Sequence, residues 1–299
     1  MSITERLANL TIPQVLISVA ILLLLRYVLL KQKTQAAKSI AEIAESLAVA
    51  MALVFLLIRP FVVQAFFIPS ESMVPTLLVH DHILVNKFVY RIGDPKHGDV
   101  VVFRAPPEAT GDGTQKDFIK RVIGIPGDVV RITPGYVLAG QSQYNHNDLR
   151  TALAQYAPPS SGDIDMKVRV KLVDNHVFVN GRLISQSELA SALGVPERKV
   201  KIVPGHVYID GKALVEPYIA EDTDDPYPGG PRSMVDPSWI VVDKKGEQEV
   251  KIPKGRLLMM GDNRNDSNDA RFWGLLDRKR VLGKAMFIFY PLNRMKWVR

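Results

Sequence analysis

"DFIKRVIGIPGD" (117–128) is the stretch on which the fold turns. Phe118, Lys120 and Val122 alternate with Ile119 and Arg121, and Pro126, Gly127 and Asp128 close the run, so the spacing predicts a strand. If that strand has a buried face, one of the two adjacent cations points inward. Lys120 shares its face with Phe118 and Val122. Burial disfavours an ammonium, so an inward Lys120 can lose its proton near neutral pH and accept one from a hydroxyl. The plain alternative is a lysine directed to solvent.

Similar runs surround this strand. "HILVNKFVY" (82–90), "GDVVVF" (98–103), "GDVVRI" (127–132) and "RLLMM" (256–260) are short and rich in Val, Ile and aromatics, broken by Gly, Pro and Asp. They predict a mainly β domain. Stretches 147–156 and 185–193 have room for one or two helical turns. "VRITPGYVLAG" (130–140), "VKLVDNHVFVNG" (170–181) and "VKIVPGHVYIDG" (200–211) share the form strand, turn, strand, glycine, and three stacked hairpins are expected from them. Pro-, Gly- and Asp-rich segments at 105–115, 157–165 and 222–237 are expected as surface insertions.

The 299 residues carry a net charge of +7 and no cysteine. Disulfides, zinc–thiolate sites and cysteine nucleophiles are thereby excluded. The basic excess reads first as a solvated surface; it fits anionic lipid at least as well as nucleic acid, and no aromatic-basic motif points to the latter. Apolar residues concentrate at the amino terminus. Leu7 to Leu25 is uncharged and reaches roughly 28 Å as a helix, close to a bilayer core. "SLAVAMALVFLLI" (46–58) continues past Arg59-Pro60 into "FVVQAFFI" (61–68). The expectation is a membrane anchor over 1–68, with spans at about 8–30 and 46–68; an interfacial helix is the alternative for the second block. Arg26, Lys31, Lys33 and Lys38 outweigh Arg6, so the positive-inside rule assigns loop 31–45 to the cytoplasm and residues 69–299 to the far side.

"FFIPSESMVPTL" (66–77) follows directly and carries Ser70 and Ser72. No G-x-S-x-G elbow or G-x-x-x-x-G-K-[ST] phosphate loop occurs. His80 and His82 lack a third metal ligand at a recognisable spacing. "GDNRNDSND" (261–269) lacks the alternation, central glycine and closing glutamate of a calcium loop. No metal or cofactor is expected, and Lys120 remains as a candidate base for a serine.

At these residues a resemblance stands out. "IPSESMVPTL" (68–77), "DFIKRVIGIPGD" (117–128) and "GDNRNDSNDARFWG" (261–274) resemble, in order and spacing, the sequence boxes of bacterial type I signal peptidases, membrane-anchored Ser/Lys proteases. The resemblance covers roughly 60–92, 97–132 and 200–295. It implies an antiparallel β-sheet catalytic domain behind two transmembrane helices, with a β-rich region inserted at about 133–199. It implies Ser72 as nucleophile, Lys120 as general base, Ser70 as oxyanion donor and Ser267 as the hydroxyl that orients Lys120. Asp269 and Arg271 would brace the loop. Ile68, Pro69, Met73 and Ile119 would line shallow pockets for small residues before the cut. The implied partners are signal-peptide-bearing preproteins and the lipid bilayer. The implied location is a bacterial plasma membrane, with a thylakoid membrane as the alternative.

Asn265-Asp266-Ser267 departs from the Asp-Asn-Ser or Asn-Asn-Ser usual in that family and is expected to set a carboxylate beside Ser267. A catalytically inactive membrane-anchored β-domain that binds partners is the competing function. It predicts no requirement for both Ser72 and Lys120.

Overall fold

The computed structural model describes residues 11–32, 34–58, 63–157, 168–173 and 175–299. Its first two elements are helices, α1 (Ile12–Leu30) and α2 (Gln35–Ala52), the latter continued by a π-helical turn, Leu53–Ile58. Pro13 suits the first turn of α1. Thr34 caps α2 by accepting from the Ala37 N–H. Ala37, Ala41, Ala44 and Ala48 form the buried stripe of α2, small enough to let α1 approach closely. Arg26 Nε meets Glu45 Oε2 at 2.9 Å across the pair.

Pro13–Leu30 and Gln35–Leu56 are long and apolar enough to cross a membrane. The second helix therefore begins well before residue 46. Polar residues 35–45 are good helix formers without Gly or Pro, so a change in polarity there does not delay the helix. Of the expected loop 31–45, residues 35–45 are helical. At the other end Val63–Phe67 is a strand, where the β-branched and aromatic residues of "VQAFF" pair with the next strand. Residues 8–10, Arg59 and Pro60, and most of the expected insertion 157–165, lie outside the described residues.

The strands are β1 (Val63–Phe67), β2 (His82–Asn86), β3 (Val100–Arg104), β4 (Asp117–Gly124), β5 (Val129–Thr133), β6 (Tyr136–Ala139) and β7 (Ser142–Tyr144). There follow β8 (Val170–Val173), β9 (His176–Val179), β10 (Arg182–Ile184), β11 (Val200–Val203), β12 (His206–Ile209) and β13 (Lys212–Ala213). The last six are β14 (Ile240–Val242), β15 (Gln248–Lys251), β16 (Arg256–Met260), β17 (Leu276–Asp277), β18 (Val281–Tyr290) and β19 (Lys296–Trp297). The main antiparallel sheet runs β1-β2-β18-β3-β4-β16-β17, with β19 beside β18, and a second runs β13-β12-β5-β15-β14.

Strand β4 is covered on both faces. Val122 joins Val101, Phe103 and Met260 in a core shared with Val130, Ile132 and Val250 of the second sheet. Ile119 joins Ile68, Met73, Leu77, Ile83 and Ile288 in a separate core on the opposite side. Alternation therefore does not choose between the two cations. Lys120 and Arg121 are both buried, at 4% and 1% exposure.

Of the three expected hairpins only β8–β9 forms. The other two segments lie side by side instead: β5 pairs with β12 and β6 with β11. Both cross from one sheet to the next at Pro-Gly, where a Cβ on Gly205 would fall 2.7 Å from the Gly135 nitrogen. The two chains can exchange sheets together there only because neither glycine carries a side chain. The inserted β-rich region carries two short helices, close to where helical turns were expected, and it extends to β11. It repeats one ββα unit twice. In the first, β6, β7 and the helix His146–Ala152 follow in order; in the second, β9, β10 and the helix Gln186–Ala192 do the same. Asn145 with Asp148, and Ser185 with Glu188, make matching capping boxes. Val137, Leu149 and Leu153 of the first unit share one core with Val177, Leu189 and Leu193 of the second.

Candidate active site

After β1 the chain is pinned at both ends of a turn. Ile68 N–H donates to Asp81 O at 2.9 Å, and His80 N–H donates back to Ile68 O at 2.9 Å. Val74 N–H donates to Glu71 O at 3.0 Å and Leu77 N–H to Met73 O at 2.9 Å. Asp81 anchors the return. Burial opposes its ionisation, but Arg294 and the Leu78 N–H outweigh burial and hold its carboxyl below the usual range. Ile68, Met73 and Leu77 of the turn are buried in the core, and Ser72 among them is itself buried.

A second loop grips this turn. It follows β16, and its Asn263 donates twice, from the backbone N–H to Ser72 O at 3.1 Å and from Nδ2 to Glu71 O at 3.2 Å. Sequence reading did not single out Asn263. Its position inside "GDNRNDSND" was the available signal.

Lys120 Nζ and Ser72 Oγ are 2.7 Å apart, and Nζ also donates to Ile119 O at 3.0 Å. Burial lowers the Lys120 pKa from 10.5 to about 8; Asp269 and Asp262 push it up, and Arg271 pushes it down. An amine with this pKa, at hydrogen-bond distance from a serine hydroxyl, is a competent proton acceptor. Ser70 Oγ lies 3.4 Å from Ser72 Oγ on the more exposed side.

Asp269 and Arg271 are buried and form a bidentate pair at 2.8 and 2.9 Å. Burial alone would raise the Asp269 pKa, but Arg271, the Gly261 N–H and the Ser267 hydroxyl lower it. Ser267 Oγ is buried and makes no hydrogen bond, so the bond expected from it to Lys120 is not formed; it lies close enough to the Asp269 carboxylate to favour the ionised form. Asp266, expected to set a carboxylate beside Ser267, is exposed, lines the cleft together with Ser267, and is not among the charges that shift Lys120.

Arg121 completes the frame on the opposite face of β4. Its Nε and Nη2 reach Asp262 at 2.8 and 2.7 Å, Nη1 donates to Gly98 O at 2.8 Å, and Nη2 reaches Thr76 Oγ1 at 3.2 Å. The Asp262–Arg121 pair thus ties the loop after β16 to the far end of the serine turn. Asp262→Ala leaves a buried guanidinium uncompensated. It is expected to cost about 3–5 kcal/mol, read as a lower urea midpoint with an unchanged slope.

An open cleft of about 960 Å³ runs past the serine, lined by Pro69, Ser70, Ser72, Ile119, Lys120 and Ser267, among others. Two of the four expected pocket residues, Pro69 and Ile119, face it. Ile68 and Met73 do not line it and belong to the apolar core with Leu77 and Ile83. His80 and His82 pack their rings against Phe67.

A family model described as "Signal peptidase, peptidase S26" matches residues 40–188 and 191–290. The chain belongs to that family. It is similar to a signal peptidase I of Aquifex aeolicus, 31% identical over 254 residues, covering 83% of this chain and 83% of the relative. A signal peptidase I of Leptolyngbya laminosa is 30% identical over 241 residues, covering 80% and 74%. A probable signal peptidase I-2 of Synechocystis is 26% identical over 238 residues, covering 80% and 68%. The S26 match runs across the inserted ββα units as well as the three boxes.

Proposed function

We propose that this serine endopeptidase cleaves signal peptides from preproteins with Ser72 as nucleophile and Lys120 as general base. The 2.7 Å contact between Lys120 Nζ and Ser72 Oγ, in a buried setting that lowers the lysine pKa, carries the assignment. Neutral Lys120 takes the Ser72 hydroxyl proton as Oγ attacks the carbonyl carbon. The oxyanion is met by the Ser72 N–H and the Ser70 hydroxyl. Collapse breaks the C–N bond, and the Lys120 ammonium returns its proton to the departing amine. Lys120 then deprotonates a water that hydrolyses the acyl-serine ester.

Substrates carry small residues before the cut. Pro69 and Ile119 give the cleft an apolar wall beside Ser72. Small-residue selectivity rests on exclusion, since one methylene is worth only about 1–3 kcal/mol. The α1–α2 hairpin anchors the enzyme. Its basic connection, with Lys31 next to Arg26, faces the cytoplasm by the positive-inside rule, so β1 and the catalytic domain stand on the extracytoplasmic face of a bacterial plasma membrane. Phe67, Tyr290, Leu292 and Trp297 are exposed large apolar side chains of the domain, and three of them sit on β1, β18 and β19. Such a patch suits contact with the interfacial layer of the bilayer.

The test is the pH dependence of preprotein cleavage. Lys120 must be neutral to act, so kcat/KM is expected to fall about tenfold per pH unit below a limb near pH 8. Activity that stays flat down to pH ~5 overturns lysine as the base. Stability moves the same way. The depressed folded-state pKa means that the unfolded chain binds the extra proton between about 8 and 10.5, so stability rises with pH across that window.

A further inference from the structure

Between the inserted ββα units and the catalytic loop runs the acidic segment "AEDTDD" (220–225). It contacts both sides through named bonds. Towards the catalytic loop, Ala220 N–H donates to Asp262 O at 3.0 Å and Asp224 N–H to Asn265 Oδ1 at 2.8 Å. Asn265 Nδ2 returns a bond to Asp222 O at 2.9 Å, and Arg271 Nη1 donates to Thr223 Oγ1 at 2.7 Å. Towards the insert, Asp222 N–H donates to Leu172 O at 2.9 Å in β8. Its carboxylate accepts from Gly205 N–H at 2.8 Å, at the point where the chain crosses between sheets.

The insert also places charge on the segment. His146, buried at the start of the first unit's helix, has Nε2 2.8 Å from Asp224 Oδ1, with the ring turned off the hydrogen-bond line. Arg150, one turn on, reaches Asp224 Oδ2 at 3.2 Å, and Lys171 of β8 lies 3.7 Å from Glu221. Three cationic or protonatable side chains of the insert thus converge on two carboxylates of one segment. That segment holds the backbone beside Ser267, Asp269 and Arg271.

We propose that the inserted module is a brace for the catalytic loop, with His146, Asp224 and Asn265 as positioning residues that act on Lys120 through segment 220–225. The proposal deepens the Ser72/Lys120 reading and rests on it. None of the three touches the reacting atoms. Asn265 is the pivotal member, because an amide offers both a donor and an acceptor to the segment's backbone. An aspartate at that position keeps the acceptor, loses the donor, and adds a like charge beside Asp222 and Asp224.

The test is a double-mutant cycle in the full-length chain, using His146→Ala, Asn265→Ala and the pair, assayed on one preprotein. Each single change is expected to lower kcat about 3- to 30-fold with KM within about twofold. The acid limb is expected to move to higher pH, since a loosened loop lets water reach Lys120. The pair should be no slower than the slower single, because both cut the same connection. Asp224→Asn, which keeps the side-chain volume and the backbone N–H, guards against an unfolded His146 variant and should show the same limb shift. If the variants melt lower but keep the wild-type kcat and acid limb, or if the two losses multiply, the brace is overturned. A wild-type chain that cleaves no preprotein would instead refute the peptidase reading itself.

Discussion

Ser72→Ala is expected to abolish preprotein cleavage, with a loss in kcat of about 10⁶-fold, the scale on which serine hydrolases respond to removal of the nucleophile. Lys120→Met should cost a comparable amount, because a methionine fills the same apolar slot without a proton acceptor. The two variants separate chemistry from folding. Ser72→Ala removes one oxygen at a turn whose backbone is held by Asn263 N–H and Nδ2, so the thermal midpoint should hardly move. Lys120→Met removes a buried amine whose charged form is disfavoured where it sits, so the folded state should be at least as stable as wild type. The readout is conversion of a purified preprotein on a gel beside a thermal melt. Processing by either variant at more than a trace of the wild-type rate would sink the dyad and favour the competing picture of a β-domain that only binds.

Gly261→Ala is the second large effect, and it comes from space rather than chemistry. A Cβ built on Gly261 lies 2.3 Å from Ser267 Oγ, 2.4 Å from Ser72 O and 2.6 Å from Ser267 Cβ. One of these contacts is backbone of the nucleophile turn and cannot swing away. The methyl must push the Ser72 turn and the Ser267 loop apart, across the gap in which Lys120 is held. A displacement near 1 Å at reacting atoms costs about 10²-fold, and kcat should fall by at least that much while KM changes little. The same wedge disturbs Gly261 N–H, which donates to Asp269 Oδ2 at 3.0 Å, so a lower melting temperature should accompany the loss. A Gly261→Ala enzyme with wild-type kcat would mean that the loop and the turn are not in register as described.

Much of the site was legible in the chain before any fold was known. "IPSESMVPTL", "DFIKRVIGIPGD" and "GDNRNDSNDARFWG" carry Ser72, Lys120, Ser267, Asp269 and Arg271 in order, and the structure brings all five to one cleft and its supporting loop. What the chain obscured was support. Arg121 with Asp262, and Asn263 on the Ser72 carbonyl, are contacts between segments far apart in sequence, and no local pattern encodes which cation meets which carboxylate. Pocket residues show the same limit. Ile68, Pro69, Met73 and Ile119 are all apolar, yet only Pro69 and Ile119 reach the cleft, because side-chain direction on a turn follows from its pinning bonds and not from hydropathy.

Fold reading divided along a similar line. The short Val- and Ile-rich runs determined a β-dominated domain, and the apolar run that ends at Leu25 determined the long helix Ile12–Leu30, because period and hydropathy are local properties. The start of α2 at Gln35 and the strand at Val63–Phe67 were not readable from polarity, since helix formation and membrane burial answer to different physics. Strand alternation in 117–124 left one cation to be buried. Two cores, one on each face of β4, buried both, and only that enclosure sets Lys120 at a pKa of about 8 beside Ser72. The chain by itself determined which residues are the candidates for the chemistry. Tertiary structure decided their protonation and aim, because desolvation and long-range hydrogen bonds exist only once distant segments close around them.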